Sequence, residues 1–136
     1  MSVLTPGEIA YLQEQRLGRL ATVGPDNQPH VVPVGFRFNP DEDSIDTGGH
    51  GVAATKKYRD LLRNSRVAFV VDDLASVDPW HVRGIEIRGE AEVLDNGGQV
   101  IGPGFAPEMI RILPRRIVSW GIDDDNFFIA NARTVS

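Results

Sequence analysis

Arg19-Leu20-Ala21-Thr22-Val23, Gly24-Pro25-Asp26-Asn27 and His30-Val31-Val32-Pro33-Val34-Gly35-Phe36-Arg37-Phe38 are the three runs on which the fold turns. The outer two are rich in β-branched and aromatic side chains, and the tetrapeptide between them is strong turn chemistry. Together they read as an antiparallel hairpin. Outward from it, Asn39-Pro40-Asp41-Glu42-Asp43 turns the chain again before the short strand Ser44-Ile45-Asp46-Thr47. Val67 to Val71 is a buried apolar run. Val82 to Leu94 (VRGIEIRGEAEVL) alternates Val82, Gly84/Ile85, Ile87, Gly89, Ala91 and Val93, the pattern of a curved strand relieved by glycines. Asn96 to Pro107 reads as loop. Met109-Ile110-Arg111-Ile112 and Ile117-Val118-Ser119-Trp120 form two short strands around Pro114, and Phe127-Phe128-Ile129-Ala130 a last one.

Two helices complete the reading. In the first, Thr5 is the N-cap, Pro6 takes the first helical position and Glu8 closes a capping box. Ile9, Leu12 and Leu17 give it one apolar side, and Gly18 ends it. The second, Val52 to Asn64, carries Ala54, Tyr58, Leu61 and Leu62 on one face. Six or seven strands at hairpin spacing, with no alternating βαβα pattern, predict a mainly β (α+β) fold. The expected architecture is one antiparallel barrel, a single domain over residues 1–136, with helices against its ends.

Composition narrows the function. The 41% hydrophobic and 24% charged residues of this 136-residue chain are those of an ordinary globular protein, so disorder is excluded. No apolar run approaches the ~20 residues of a membrane span, and the N-terminus lacks a basic stretch followed by an apolar one. With no cysteine there is no disulfide, thiolate metal site or catalytic thiol. A net charge of -5 speaks against nucleic-acid or membrane partners. A cytoplasmic protein is expected.

The chemistry-bearing constellation is Gly48-Gly49-His50-Gly51 running toward Thr55-Lys56-Lys57. A glycine-rich loop that feeds a helix offers free amides and the positive end of the helix dipole. One hydroxyl and two ammonium groups would complete an anion site of the kind that holds a phosphate. A solvated basic helix face preceded by a turn accounts for the same residues. Neither a Walker motif nor a dinucleotide fingerprint is present. Pro33, lacking an N–H, requires an edge, a bulge or an interrupted ladder, and Gly35 allows close approach of a ligand. His30, His50 and His81 lack metal-ligand spacing, and the acidic runs 41–43 and 123–125 lack the pattern of a calcium loop, so no metal site is expected. No serine has a hydrolase context. Trp80 follows Asp78-Pro79 and could stack on a planar ligand, while Trp120 reads as core. Arg83, Arg88, Arg111, Arg115 and Arg116 either scatter over the surface or gather to guide an acidic ligand.

Taken together, Gly18-Arg19-Leu20-Ala21-Thr22-Val23, Gln28 to Val34, Thr55 to Leu61 and Arg66 to Val70 resemble the split-barrel flavin- and deazaflavin-binding family related to pyridoxamine 5'-phosphate oxidase. Arg116 to Gly121 and Arg83 to Gly89 are most similar to its F420-dependent branch. The resemblance implies a six- to seven-stranded split β-barrel, a homodimer with the cofactor at the subunit interface, and hydride transfer between F420 and an unsaturated or quinone-like small molecule. It implies that the ring lies along His30, Val32, Pro33 and Val34 and along Thr47, Gly48 and Gly49. The phosphate then falls to His50, Thr55, Lys56 and Lys57, and Trp80 of the partner closes the pocket. FMN in place of F420, as in an FMN-dependent oxidase, and a non-catalytic F420 carrier are the alternatives. The chain's short end after Asn131 argues against vitamin B6 oxidation. No residue stands out as a proton donor, Tyr58 and His50 being the candidates.

Overall fold

The computed structural model describes residues 1–136. Its strands are β1 (Leu17–Val23), β2 (Pro29–Asn39), β3 (Ser44–Thr47), β4 (Arg66–Ser76), β5 (His81–Leu94), β6 (Met109–Trp120) and β7 (Asn131–Thr134). The helices are α1 (Pro6–Glu14), α2 (Lys56–Arg63) and the single turn α3 (Gly98–Ile101). All strand pairs are antiparallel, in the order β3-β2-β1-β4-β5-β6-β7, and β3 also pairs with β6. That last pairing closes six strands into a barrel and leaves β7 as an extra strand on β6. The expected antiparallel barrel with flanking helices is therefore the observed one. No helix is long and apolar enough to cross a membrane.

The barrel fills because alternation along each strand turns one apolar set inward. Leu20 stands opposite Phe69, Phe69 opposite Ile87, and Ile87 opposite Ile117, a continuous layer across four strands. All four are fully buried. Burial of each such side chain contributes roughly 1.5–3 kcal/mol. From α1 come Tyr11 and Leu12, and from α2 Leu61, joining the same core.

Several boundaries differ from the sequence reading. The Thr5–Glu8 capping box is formed on both sides, but α1 stops at Glu14 and Gly18 lies inside β1. There a Cβ would sit 2.3 Å from the Phe69 ring, so packing, not a helix end, requires the glycine. The second helix is divided: Val52–Ala54 forms a 3-10 turn, Thr55 is extended, and α2 begins at Lys56. The two short strands expected around Pro114 are one strand, β6. Pro114 is tolerated at a register shift, where Arg88 pairs with Arg116 and Gly89 with Pro114. The last strand is Asn131–Thr134, with Phe127–Ala130 in the loop before it. Trp120 is half-buried and lies on Gly84, whose Cβ would approach the indole to 2.4 Å. The 96–107 segment, expected as loop, contains the α3 turn.

The chain's two ends are tied together by Glu8. This fully buried carboxylate accepts from Ser119 at 2.6 Å and from Arg133 of β7 at 2.6 Å. Burial pulls its pKa up, but the bonds from Arg133, Ser119 and the Thr5 amide outweigh that and leave it below the usual glutamate value.

Candidate functional site

β3 is only four residues long, and this shapes the site. It pairs with Phe36–Asn39 of β2 and leaves the edge of Pro29–Gly35 without a second strand. Pro33 sits on this open stretch, and β1 runs past it in unbroken register, so no bulge is present there. Along the stretch Val31 and Pro33 are exposed, Val34 is buried, and His30 and Val32 are half-buried. Since Val32 packs against the core and Val34 belongs to it, these two offer a ligand their backbone rather than their side chains.

A buried polar relay joins the start of this edge to the start of α2. His30 stands opposite Thr22. The Thr22 hydroxyl donates to Asp60 at 3.0 Å, and Lys56 Nζ donates to the same carboxylate at 2.8 and 3.0 Å. Asp60 is almost wholly buried, and the hydrogen bond from Lys56 is the main reason its pKa lies below the usual aspartate value. α2 is thus pinned to β1 by the Thr22 hydroxyl, while Lys56, one turn before Asp60 on the same helix, neutralises the carboxylate.

Lys57 differs. No carboxylate lies within ion-pairing distance of its ammonium, and burial alone pulls its pKa below the ordinary lysine value. A half-buried cation without a counter-ion favours an anion beside it. The helix start adds to this. The Thr55 hydroxyl accepts from the Tyr58 amide at 3.4 Å and donates to Val52 O at 2.6 Å. Only the amides of Lys56 and Lys57 then remain free at the positive end of the helix. Of the candidates Thr55, Lys56 and Lys57, the first caps the helix, the second holds Asp60, and the third is available.

Around the other end of the open edge stand Thr47, Gly48, Gly49 and His50. Thr47 is buried and donates to Gly35 O at 2.6 Å. None of the glycines at 48, 49 and 51 has a positive φ, so their value is space rather than backbone freedom. A Cβ on Gly48 would meet Phe105 at 3.4 Å, and one on Gly51 would meet nothing within 4 Å. His50 Nδ1 bonds Gly104 O at 2.9 Å, its ring meets Phe105 edge-on at 5.4 Å, and the Ala106 amide donates to Gly49 O at 2.8 Å. The segment after α3 therefore forms one wall of the site. Sequence reading missed this role of Phe105, for which a lone aromatic in a Gly/Pro-rich loop was the available signal.

Trp80 stands apart. It is exposed on the β4–β5 turn, and no hydrogen bond or aromatic contact ties it to the other candidates. Of the five candidate arginines of β5 and β6, Arg83, Arg88, Arg111 and Arg115 each pair with a carboxylate of their own, and Arg116 donates to Thr134. They do not converge on the site.

The model of the pyridoxamine 5'-phosphate oxidase family matches residues 6–106. The chain is 46% identical over 132 residues to a 5a,11a-dehydrotetracycline/5a,11a-dehydrooxytetracycline reductase of Streptomyces rimosus, a match covering 97% of this chain and 93% of that one. It is 45% identical over 67 residues to an F420H(2)-dependent biliverdin reductase of Mycobacterium tuberculosis, covering 47% and 49% of the two chains. Among solved structures, a conserved hypothetical protein of Mycobacterium tuberculosis superimposes with a TM-score of 0.67 at 26% identity, over 88% of this chain and 86% of that one.

Proposed function

The chain belongs to the pyridoxamine 5'-phosphate oxidase family, and on that premise we propose that it is an F420-dependent reductase acting on an unsaturated or quinone-like small molecule as a homodimer. The two relatives named as reductases support the oxidoreductase class, and the F420H(2)-dependent one supports the deazaflavin over FMN. The single observation that carries the reading is Lys57, a half-buried ammonium with no counter-ion at a helix start.

The residues present fit such a cofactor. Lys57 and the first amides of α2 hold its phosphate, as a charge-assisted bond in a partly desolvated corner is strong. The open edge of β2 presents backbone N–H and C=O groups, which a flat heterocycle can satisfy in place of the missing strand. Gly48 and Gly49 let the ring approach the backbone. When bound, the deazaflavin supplies a hydride and no one-electron or oxygen chemistry. The protein's part is to place the ring, exclude water and hold the acceptor against it.

Proton delivery falls to solvent. His50 Nδ1 donates to the Gly104 carbonyl, so in the neutral ring Nε2 carries no proton to give. Tyr58 packs against the core. A second subunit would cover exposed apolar side chains that include Leu17, Val31 and Trp80. Fluorescence titration with F420 and with FMN, alongside sedimentation, tests the proposal. Saturable F420 binding by a dimer, followed by oxidation of reduced F420 with activated alkenes, is expected. Tight FMN binding with peroxide formed in air would instead indicate an FMN oxidase, and F420 binding without turnover a carrier. Failure to bind either cofactor refutes the assignment.

A further inference from the structure

A cavity of about 440 Å³ lies between the C-terminal end of α1 and the segment after α3, within the ~300–1,000 Å³ usual for small-molecule sites. Phe36, Ile101 and Phe105 give it apolar walls, and Arg16, Gln15 and Gly35 line it too. A neighbouring cavity of about 410 Å³ shares Phe36, Ile101 and Gln15 and adds Arg37.

Three observations define what fits there. The first is position. A Cβ on Gly35 would lie 3.7 Å from Phe105 and one on Gly48 would lie 3.4 Å from the same ring. The cavity and the cofactor loop thus share one wall, and Gly35 lies in both the open edge of β2 and the cavity lining. The second is charge. Arg16 and Arg37 have no carboxylate partner, while the carboxylate of Glu14, which also lines the cavity, is drawn to Arg83 at 3.2 Å. With that single acid paired, the free guanidinium groups of Arg16 here and of Arg37 at the neighbouring cavity leave this opening electropositive in a chain of net charge -5. The third is shape, since aromatic walls with a planar cation at the rim suit a flat ring system that carries an acidic group.

We propose that this cavity is the acceptor site, and that its occupant is a planar, conjugated, acidic molecule of two to three rings. Phe36 and Phe105 flank the rings, and Arg16, with Arg37 reaching from the adjoining cavity, holds the acidic edge. The chemistry rests on the reductase reading above, whereas the binding does not. In the reaction the two electrons arrive as hydride from the reduced cofactor of the proposed function. The hydride forms a C–H bond at the electron-poor carbon of a C=C–C=O unit and the C=C π bond breaks. Its electrons pass to the oxygen, and a solvent proton then completes the reduction.

The test uses the full-length protein without cofactor, titrated with 8-anilinonaphthalene-1-sulfonate and with the uncharged N-phenyl-1-naphthylamine, each followed by its fluorescence. The sulfonate is expected to bind at least fivefold tighter than the neutral dye. Arg16→Gln should erase that preference, and Gln13→Trp, from the exposed face of α1 that lines both cavities, should weaken both dyes tenfold or more. In turnover with reduced F420, Arg16→Gln should raise KM for 1,2-naphthoquinone-4-sulfonate about tenfold and leave that for menadione unchanged. Equal binding of the two dyes by the unsubstituted protein, or no response to either substitution, overturns the proposal. An F420 titration of the same samples separates the two readings. Dye discrimination without binding of F420 or FMN refutes the reductase and keeps the cavity. F420 binding without dye discrimination refutes the cavity alone.

Discussion

Replacing Lys57 by alanine should weaken F420 while leaving the unloaded protein at least as stable. The ammonium has no carboxylate partner, so in the free protein it gives up hydration for nothing in return. Bound phosphate would supply a charge-assisted hydrogen bond of about 1.5–3 kcal/mol. Each ~1.4 kcal/mol is tenfold in affinity, so the dissociation constant should rise roughly ten- to a hundredfold. Lys57→Arg should recover part of this loss and Lys57→Met none. The pH dependence has a definite sign. Burial depresses the folded pKa below 10.5, so the folded state releases its proton first as pH rises. The cost of the buried charge is full below the folded value and vanishes as pH climbs to 10.5, so stability rises across that window. In Lys57→Met that rise should be missing from urea unfolding curves. F420 fluorescence titration in low and moderate salt measures the affinity, with a flatter salt response for the alanine variant. An affinity within twofold of the unsubstituted protein, or a large fall in the unloaded protein's Tm, would refute the reasoning, since Lys57 would then be either idle or structural.

Asp60→Asn should cost about 1.5–3 kcal/mol in urea unfolding, because it weakens the hold on both Lys56 and Thr22. The folded pKa of Asp60 lies below its usual value, so its stabilisation is present above pH 3.8 and is lost as pH falls through the folded value; the variant should lack this acid-side slope. Arg133→Ala, which strands the buried Glu8 carboxylate, should cost about 3 kcal/mol and speed hydrogen exchange across Asn131–Thr134. Gly98→Ala should lower Tm by several degrees, as its Cβ would lie 2.1 Å from Ala106 O and backbone must move. Gly48→Ala, whose nearest atoms stand at 3.4–3.6 Å, should fold normally, with thermal unfolding comparing the two.

Much of the fold was legible because it rests on local patterns. Turn chemistry at 24–27 and at 39–43 set two hairpins, and the Thr5–Glu8 box set the start of α1. Two of the errors share one cause, that the deciding partner is far away in sequence. Gly18 reads as a helix end until Phe69 fills the space above it. Pro114 reads as a break until the shifted register opposite Gly89 accommodates it. The site was legible only as a set of positions. Thr55, Lys56 and Lys57 are alike in a one-dimensional reading, and Phe105 lay in a stretch without periodicity.

From the residues alone came the strands, their antiparallel hairpins and the glycine-to-lysine segment, since alternation, turns and caps act between near neighbours in the chain. Tertiary structure alone decided how far Asp60 and Lys57 are buried and what walls the site. Asp60 lies one helical turn after Lys56, so that pairing is local, but only the meeting with Thr22 of β1 across the fold buries the carboxylate. Phe105 has to reach Gly48 before a cavity exists beside the open edge of β2. Burial and cavity shape depend on distances of a few ångströms between residues remote in sequence, and no local pattern encodes them.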